Sequence, residues 1–205
     1  LHSKRRRSSR MSRYEIRIAG LGGQGIVTAG VMIGRAASIF AEKNVTLTQS
    51  YGPESRGGAS KVEVIVSDGK IDYPKVRKPS LVAVMSQEAY RKNITDINGT
   101  AVVIIDPDLV QEDPANHSVK TYHVPATRMA EKLGKRIVAN MVMVGAIVGL
   151  TNMLESASVE KAISKYVPRG TEQLNLNAFR TGYEYARKLG QEQVVTTQEA
   201  SYARS

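Results

Sequence analysis

The sequence contains no cysteine, and this one absence excludes several kinds of chemistry. Without a thiol, the chain cannot hold a cysteine-ligated iron–sulfur cluster or zinc ion, form a disulfide, or use a thiolate as a nucleophile. Histidine is also scarce, and His2, His117 and His123 lack the spacing of zinc-binding motifs. We therefore expect no metal site in this chain and interpret His117 and His123 as surface or strand-edge residues.

Long apolar runs are missing as well. The longest one, residues 141–150, is much shorter than the roughly 20 residues that span a bilayer, and it predicts a buried helix instead. The basic start of the chain is followed by polar residues rather than by the apolar core of a secretory signal. We expect a cytoplasmic protein without a membrane partner, and a length of 205 residues suits one domain with appendages.

Positive charge is abundant, since the net charge is +10, but much of it is concentrated at one end. Residues 1–13 carry six of these charges and no acidic residue, which leaves +4 for the rest of the chain. We interpret residues 1–12 as a disordered basic arm and residues 1–10 as an extension upstream of a natural start at Met11. The alternative is a natural arm that binds RNA or an acidic partner, although nucleic-acid binding is not expected.

A glycine-rich segment follows the first predicted strand, residues 14–19, and leads into a predicted helix over residues 26–42. Its spacing fits G-x-G-x-x-G, and its candidate binding residues are Gly20, Gly22, Gly23, Gln24 and Gly25. A strand that turns into a helix in this way presents backbone N–H groups at the positive end of the helix dipole, which favours a phosphate. The alternative is a tight turn that needs glycine for close packing and binds no ligand.

Strand and helix patterns alternate along the rest of the chain. Further strands are predicted at residues 45–49, 61–67, 81–85, 101–105 and 119–124, and helices at 86–94, 126–133, 141–150, 159–166 and 172–189. The dipeptide Asp68-Gly69 predicts a hairpin turn into a short strand at residues 71–73. These patterns predict a Rossmann-like α/β domain over residues 13–190, with a mainly parallel sheet, helices on both faces and an antiparallel hairpin at one side. Residues 191–205 lack periodicity and predict a flexible tail.

The loop after the second predicted strand is a second candidate site, made of Tyr51, Gly52, Pro53, Glu54, Arg56, Gly57 and Gly58. Arg56 could pair with a phosphate or carboxylate, Glu54 could orient Arg56, and Tyr51 offers a face for stacking. The strand before this loop lacks the acidic residue that holds the ribose of NAD, and no G-K-[ST] follows the glycines, so neither a standard NAD site nor a P-loop is expected. The alternative is a rigid surface loop with a solvated ion pair.

A third candidate site lies at the start of the predicted helix 141–150. Asn140 is a good N-cap, and the free N–H groups of that helix, with Arg136 nearby, would attract an anion. Simple capping is the alternative. The sequence offers no convincing nucleophile–base pair, carboxylate dyad or metal-ligand set, so we expect a binding component without catalytic residues of its own.

Several segments closely resemble the gamma subunit of 2-oxoacid:ferredoxin oxidoreductases. They are GLGGQGIVTAG at residues 20–30, SYGPESRGG at 50–58, VPAT at 124–127, ANMV at 139–142 and LNLN at 174–177. These blocks occur in register over residues 11–189. The sequence of the second block resembles the 2-oxoglutarate type more closely than the pyruvate type. An enzyme that acts on a branched-chain oxoacid is the alternative.

The resemblance implies a multi-subunit enzyme that oxidatively decarboxylates a 2-oxoacid, with 2-oxoglutarate expected, to an acyl-CoA. Thiamine diphosphate, magnesium and iron–sulfur clusters would then belong to alpha, beta and delta-type partner subunits, and ferredoxin would accept the electrons. The gamma component would serve assembly and the coenzyme A side of the site, with coenzyme A as a possible direct ligand of the three candidate segments. The isolated chain is expected to be inactive. The alternative function is a free-standing Rossmann-like nucleotide-binding module.

Overall fold

The computed structural model describes residues 12–52, 58–97, 99–113 and 119–202, apart from the side chains of residues 192–202. Nearly all of the predicted basic arm therefore lies outside the described residues. Six strands form one sheet, namely β1 (Arg13–Leu21), β2 (Asn44–Tyr51), β3 (Ala59–Ser67), β4 (Leu81–Val84), β5 (Val102–Ile105) and β6 (Lys120–His123). Their spatial order is β2-β3-β1-β4-β5-β6.

The sheet is mostly parallel, as the alternating pattern predicts. Strands β1, β4, β5 and β6 run in the same direction, whereas β3 is antiparallel to both of its neighbours, β1 and β2. Strands β4 and β5 are buried over nearly their whole length, which explains their uninterrupted apolar sequences. An antiparallel hairpin is present at one side of the sheet, as predicted, but β2 and β3 form it.

Residues 71–73 do not form a strand, so the hairpin predicted through Asp68-Gly69 is wrong. The antiparallel partners of β3 are β1 and the preceding strand β2. The connection after Asp68 instead crosses to β4, and its amides at Arg77 and Lys78 donate to the carboxylate of Glu15. Both edges of β3 are occupied by β1 and β2, so no place beside β3 remains for a strand at residues 71–73.

The helices cover both faces of the sheet unequally. They are α1 (Ile26–Arg35, continued by a π-helical segment Ala36–Phe40), α2 (Gln87–Asn93), α3 (Ala126–Lys132), α4 (Ala139–Thr151), α5 (Ser156–Tyr166) and α6 (Glu172–Tyr202), with a 3₁₀ turn at Arg136–Val138. Five of them share one large apolar core with the sheet, whereas α2 packs on the opposite face in a smaller core. No helix among the described residues is long and apolar enough to cross a membrane.

Helix α4 is the centre of the larger core, and it is buried over residues 139–149. Its close partner is α6, where glycines bring the two backbones together. A Cβ atom on Gly145 would lie 2.0 Å from the carbonyl oxygen of Phe179, and one on Gly182 would lie 1.9 Å from that of Val142. Since real Cβ atoms do not approach a carbonyl so closely, this contact requires glycine on both helices. The burial predicted for α4 is confirmed.

Helix α6 continues through Tyr202, so the prediction that this helix ends at residue 189 is wrong. Residues 191–202 contain neither proline nor a further glycine, and their Gln, Glu and Ala residues are good helix formers. A helix already started by tertiary packing can extend over such residues because propagation is less costly than nucleation. Periodicity alone missed this extension because the segment has no apolar stripe.

Substitution of Gly182 by Ala should destabilise the protein strongly. The added methyl group would force α4 and α6 apart, and overpacking of this kind costs about 1–3 kcal/mol or more. Chemical denaturation monitored by circular dichroism measures the change in the free energy of unfolding. The matched control is Gly34→Ala in α1, where the new Cβ would meet only ordinary contacts at 3.5 Å or more. Equal stability of the two variants would contradict the close contact.

Acid should destabilise the fold partly through Asp68, which ties the start of β1 to the end of β3. Hydrogen bonds to Asp68 from the Lys43 ammonium and from the hydroxyl and amide of Ser12 hold the pKa of this carboxyl well below its usual range. Because the folded-state pKa is lowered, the stabilisation is present above the unfolded pKa of about 3.9 and is lost as the pH falls further.

We expect Asp68→Asn to reduce the loss of stability between about pH 5 and pH 2, as measured by denaturation at a series of pH values. Asp72→Asn is the control, because Asp72 is 80% exposed and its ion pair with Lys70 is on the surface. If Asp68→Asn and the unsubstituted protein lose stability in parallel, Asp68 does not contribute to the acid response.

Candidate functional site

The glycine-rich turn lies where the sheet connections diverge. Strand β1 leads through this turn into α1 on the face with the larger core, while the neighbouring strand β4 leads into α2 on the opposite face. Such a divergence opens a crevice at the carboxyl ends of parallel strands, the usual ligand position in open α/β sheets. The turn predicted from the sequence therefore occupies the expected place.

The side chain of Gln24 points inward and connects the turn to the end of β4. Its Oε1 accepts the amide N–H of Leu21 at 2.6 Å, and its Nε2 donates to the carbonyl oxygen of Met85 at 2.6 Å. A Cβ atom on Gly20 would lie 2.4 Å from the same Oε1. Glycine at position 20 therefore makes room for the Gln24 carboxamide. Both polar atoms of this side chain form hydrogen bonds within the protein.

Asn140 is not an N-cap, contrary to the prediction. Helix α4 already begins at Ala139, because the 3₁₀ turn before it leads directly into helical backbone. The side chain of Asn140 is only 7% exposed, and its Nδ2 donates to the carbonyl oxygen of Gly25 at 3.2 Å. Its Oδ1 accepts the N–H of Met141 at 2.8 Å.

Gly25 is required by the same contact. Its φ of 71° is left-handed, and an added Cβ would lie 2.3 Å from Nδ2 of Asn140. Asn140 thus joins the start of α4 to the start of α1, and the close approach of these two helix ends needs a glycine. The first turns of both helices contain no acidic residue.

Gly23 is the glycine of the turn that faces open space. It has a φ of 88°, and a Cβ placed on it would meet nothing within 4 Å. By contrast, the N–H of Gly22 donates to the carbonyl oxygen of Gly58 at 2.8 Å. Gly23 belongs to a cavity of about 300 Å³, which is lined by Gly23, Gln24, Met85, Leu109, Thr127, Arg136, Ile137 and Ala139. We call it the Gly23–Arg136 cavity.

The electrostatics of the Gly23–Arg136 cavity favour an anion. The N-terminal ends of α1 and α4 meet at the Gly25–Asn140 contact, next to the lining residues Gln24 and Ala139, and the N-terminal end of a helix carries the positive end of its dipole. Arg136 is exposed and has no carboxylate partner among the described residues. None of the lining residues is acidic. A phosphate or carboxylate could therefore bind here without displacing an existing ion pair.

The Tyr51 loop lies close to the glycine turn but contributes to a different cavity. Because β3 is antiparallel to β1, its first residue Ala59 pairs with Leu21, which places Gly58 beside the turn. Tyr51, 65% exposed, and Gly52 line a cavity of about 240 Å³ on the α2 face, away from Arg136. The other predicted residues of this loop, Pro53, Glu54, Arg56 and Gly57, lie outside the described residues.

The predicted site residues are therefore divided around the turn. Gly23 and Gln24 join Arg136, Gly20 joins Tyr51 and Gly52, and Gly25 joins Asn140 in a third, mainly apolar groove of about 320 Å³. The glycine turn and the Tyr51 loop are hydrogen-bonded through Gly22 and Gly58, but Gly23 and Tyr51 line separate cavities. Whether any of these residues binds a cofactor stays a prediction.

Sequence reasoning missed the pair formed by Asp106 and Thr127. Asp106 is fully buried at the end of β5, and one of its carboxylate oxygens accepts both the amide N–H of Thr127 at 2.8 Å and its hydroxyl at 2.7 Å. The pair fixes the start of α3 beneath the Gly23–Arg136 cavity. The sequence contained one indication of this pair, namely an acidic residue directly after the apolar run of β5. In the described part of the chain, no cluster of His, Asp or Glu side chains could hold a metal ion.

The fold and the turn together define a Rossmann-like α/β domain with an anion-favouring crevice at the switch point of its sheet. The model of the pyruvate ferredoxin/flavodoxin oxidoreductase family matches residues 15–185. The chain belongs to this family, as the resemblance in the sequence predicts.

Relatives agree with this assignment. The chain is 52% identical over 179 residues to 2-oxoglutarate synthase subunit KorC of Methanocaldococcus jannaschii, covering 86% of this chain and 96% of the relative. The solved keto/oxoacid ferredoxin oxidoreductase gamma subunit of Geobacter sulfurreducens is 41% identical, with a TM-score of 0.74, and the match covers 84% of this chain and 98% of that one.

A larger solved chain contains a similar domain. The 2-oxoglutarate:ferredoxin oxidoreductase of Magnetococcus marinus, solved with 2-oxoglutarate, coenzyme A and succinyl-CoA bound, is 25% identical with a TM-score of 0.79. The match covers 86% of the present chain but only 31% of the Magnetococcus chain. The same fold thus occurs both as a separate chain and as one part of a longer one.

Replacement of Gln24 by Glu should destabilise the domain. The carboxylate could still accept from Leu21, but it could not donate to the Met85 carbonyl, and a buried acceptor without its donor costs about 1–3 kcal/mol. Thermal and chemical denaturation measure this loss. The control Gln173→Glu makes the same chemical change at an exposed position in the first turn of α6, where an acidic residue is favourable. A stability change no larger at Gln24 than at Gln173 would contradict the internal role of Gln24.

Proposed function

We propose that this chain is the gamma-type subunit of a 2-oxoglutarate:ferredoxin oxidoreductase, which converts 2-oxoglutarate oxidatively to an acyl-CoA. The 52% identity to a 2-oxoglutarate synthase subunit over nearly the whole length of that relative is the observation that carries this proposal. The match to a solved gamma subunit covers 98% of that chain. This agreement in length supports the role of a subunit rather than that of a free-standing nucleotide-binding module.

The reactive centre and electron carriers would come from partner subunits. The sequence has no cysteine, so it offers no thiolate ligands for an iron–sulfur cluster. We assign thiamine diphosphate, magnesium and the clusters to the alpha, beta and delta-type subunits, with ferredoxin as the electron acceptor of the complex. The present chain would contribute assembly and part of the coenzyme A side of the site.

The Gly23–Arg136 cavity suits a phosphate-bearing part of coenzyme A. Arg136 and the two helix N-termini supply positive charge, Gly23 allows close approach of a ligand to the backbone, and Met85, Leu109 and Ile137 supply apolar contacts. Its volume of about 300 Å³ is at the lower end of the range for ligand pockets. We therefore expect this chain to hold a portion of coenzyme A while partner subunits hold the rest.

Arg136→Ala in the assembled enzyme should raise the KM for coenzyme A about 10-fold, which corresponds to roughly 1.4 kcal/mol of lost binding. The KM for 2-oxoglutarate and the turnover rate at saturating coenzyme A should stay unchanged, since Arg136 would bind coenzyme A equally in the ground and transition states. Steady-state kinetics with a ferredoxin or dye acceptor measures these constants.

The matched control for this measurement is Arg91→Ala, because Arg91 is exposed on α2, on the opposite face of the sheet. A KM for coenzyme A that is unchanged in Arg136→Ala would show that coenzyme A does not bind in this cavity.

The assignment as a subunit has its own test. The isolated chain should show no turnover, and activity should appear when the partner subunits are added. Turnover by the isolated chain would overturn that assignment.

A further inference from the structure

A second cavity beside the glycine turn has the character of a docking surface. It is the mainly apolar groove of about 320 Å³ that begins at Gly25 and Asn140 and ends at the α5–α6 connection. We call it the α5–α6 groove. Its apolar lining consists of Ile137, Val138, Met141, Tyr166, Val167, Pro168 and Leu174.

Ile137 is the most informative residue of this lining. It is 63% exposed and stands between the α5–α6 groove and the Gly23–Arg136 cavity, since it lines both. A single exposed aliphatic side chain is ordinary on a protein surface. Here, however, it continues an apolar groove whose walls include the half-buried Tyr166, Val167 and Leu174. Together they form a contiguous apolar patch, which is typical of an interaction site.

The rim of the α5–α6 groove is cationic. Lys135 lines the groove, the guanidinium of Arg35 stacks over the ring of Tyr166 at 4.2 Å, and the ammonium of Lys165 lies 5.5 Å from the centre of the same ring. None of these cations has a carboxylate partner among the residues that the structure describes. No acidic residue lines the groove, and Glu172, close in sequence, is not part of the lining.

We propose that the α5–α6 groove receives a segment of a partner subunit that presents apolar side chains flanked by acidic residues. This inference rests on the proposed function in so far as that function supplies partner subunits. Charge complementarity favours an acidic occupant. It disfavours a second copy of this chain, because two identical grooves would bring their cationic rims together. In the Magnetococcus enzyme the matching region is about a third of a longer chain, so this fold is covalently joined to further protein in a relative.

Two matched pairs of variants test the docking surface in the full-length chain. Ile137→Ala removes the exposed apolar contact, and Ile39→Ala, at a position 49% exposed in the π-helical segment, removes a comparable side chain elsewhere. Lys135→Glu reverses a rim charge, and Lys132→Glu makes the same change at an exposed position of α3 outside the groove. All four positions are exposed, so all four variants should fold.

Association with the purified partner subunits is measured by titration at low and high salt. We expect Ile137→Ala to weaken the Kd for the partner subunits about 10-fold, because buried apolar anchors carry much of the affinity of an interface. Lys135→Glu should weaken it by a similar factor, because the new carboxylate would face the acidic residues of the partner segment. The effect of Lys135→Glu should shrink at high salt, where charges are screened. The two control variants should bind like the unsubstituted chain.

Other outcomes overturn the docking proposal and separate it from the proposed function. Unchanged association in both groove variants, with a raised KM for coenzyme A in Arg136→Ala, would reject docking and leave the coenzyme A proposal intact. Weakened association in both groove variants, with an unchanged KM for coenzyme A in Arg136→Ala, would support docking and reject the coenzyme A proposal. A raised KM for coenzyme A in Lys135→Glu without loss of association would make the groove a ligand site. Self-association of the isolated chain that is lost in Ile137→Ala would make it a homomeric interface.

Discussion

The backbone contact between α4 and α6 is the constraint on which the rest of this structure depends. Helix α4 can be buried on all sides only because Gly145 and Gly182 let the two helices touch backbone to backbone. This burial fixes the position of the first turn of α4, and Asn140 in that turn then reaches the carbonyl of Gly25. The glycine turn is thus held in place by helix α4, whose residue Asn140 lies 115 residues after Gly25 in the sequence. Anything that shifts α4 would also shift the rim of the Gly23–Arg136 cavity, where Arg136 and Ile137 directly precede this helix.

The glycines of the turn have different physical reasons for being glycine. Those at positions 20 and 25 accommodate the carboxamides of Gln24 and Asn140, which satisfy backbone groups of the protein itself. Gly23 alone among these three has open space where a side chain would stand. Gly20 and Gly25 are therefore required for packing, whereas Gly23 leaves room for a ligand to approach the backbone. A turn of dinucleotide-binding spacing thus occurs here in a domain in which one of the two neighbours of β1, strand β3, is antiparallel and the standard ribose-binding acid is missing.

The distribution of chemistry fits a component of a larger enzyme. Buried carboxylate Asp106 is used to fix α3, and buried Arg17 is used to pin β1 through hydrogen bonds to Glu63 and Asp96. Burial alone would lower the pKa of Arg17, but these two carboxylates raise it above its usual value, so the ion cluster remains charged. The buried ionisable groups Asp106 and Arg17 thus hold the fold together, whereas Arg136 and Lys135, which have no carboxylate partner among the described residues, lie at the two cavities beside α4. Those cavities are where we propose that coenzyme A and a partner subunit bind.

The sequence by itself determined the alternation of strands and helices, the burial of α4, the position of the glycine turn at the end of β1 and membership of the family. Hydrophobic periodicity reports local backbone geometry, and ordered motif blocks report ancestry, so neither needs the folded structure. Only the tertiary structure decided the partners of β3, the inward direction of Gln24 and the role of Asn140. Those outcomes depend on groups far apart in the chain, since Gln24 meets Met85 across 61 residues and Asn140 meets Gly25 across 115. A polar side chain chooses its hydrogen-bond partner from whatever packing brings near, and no local pattern contains that information.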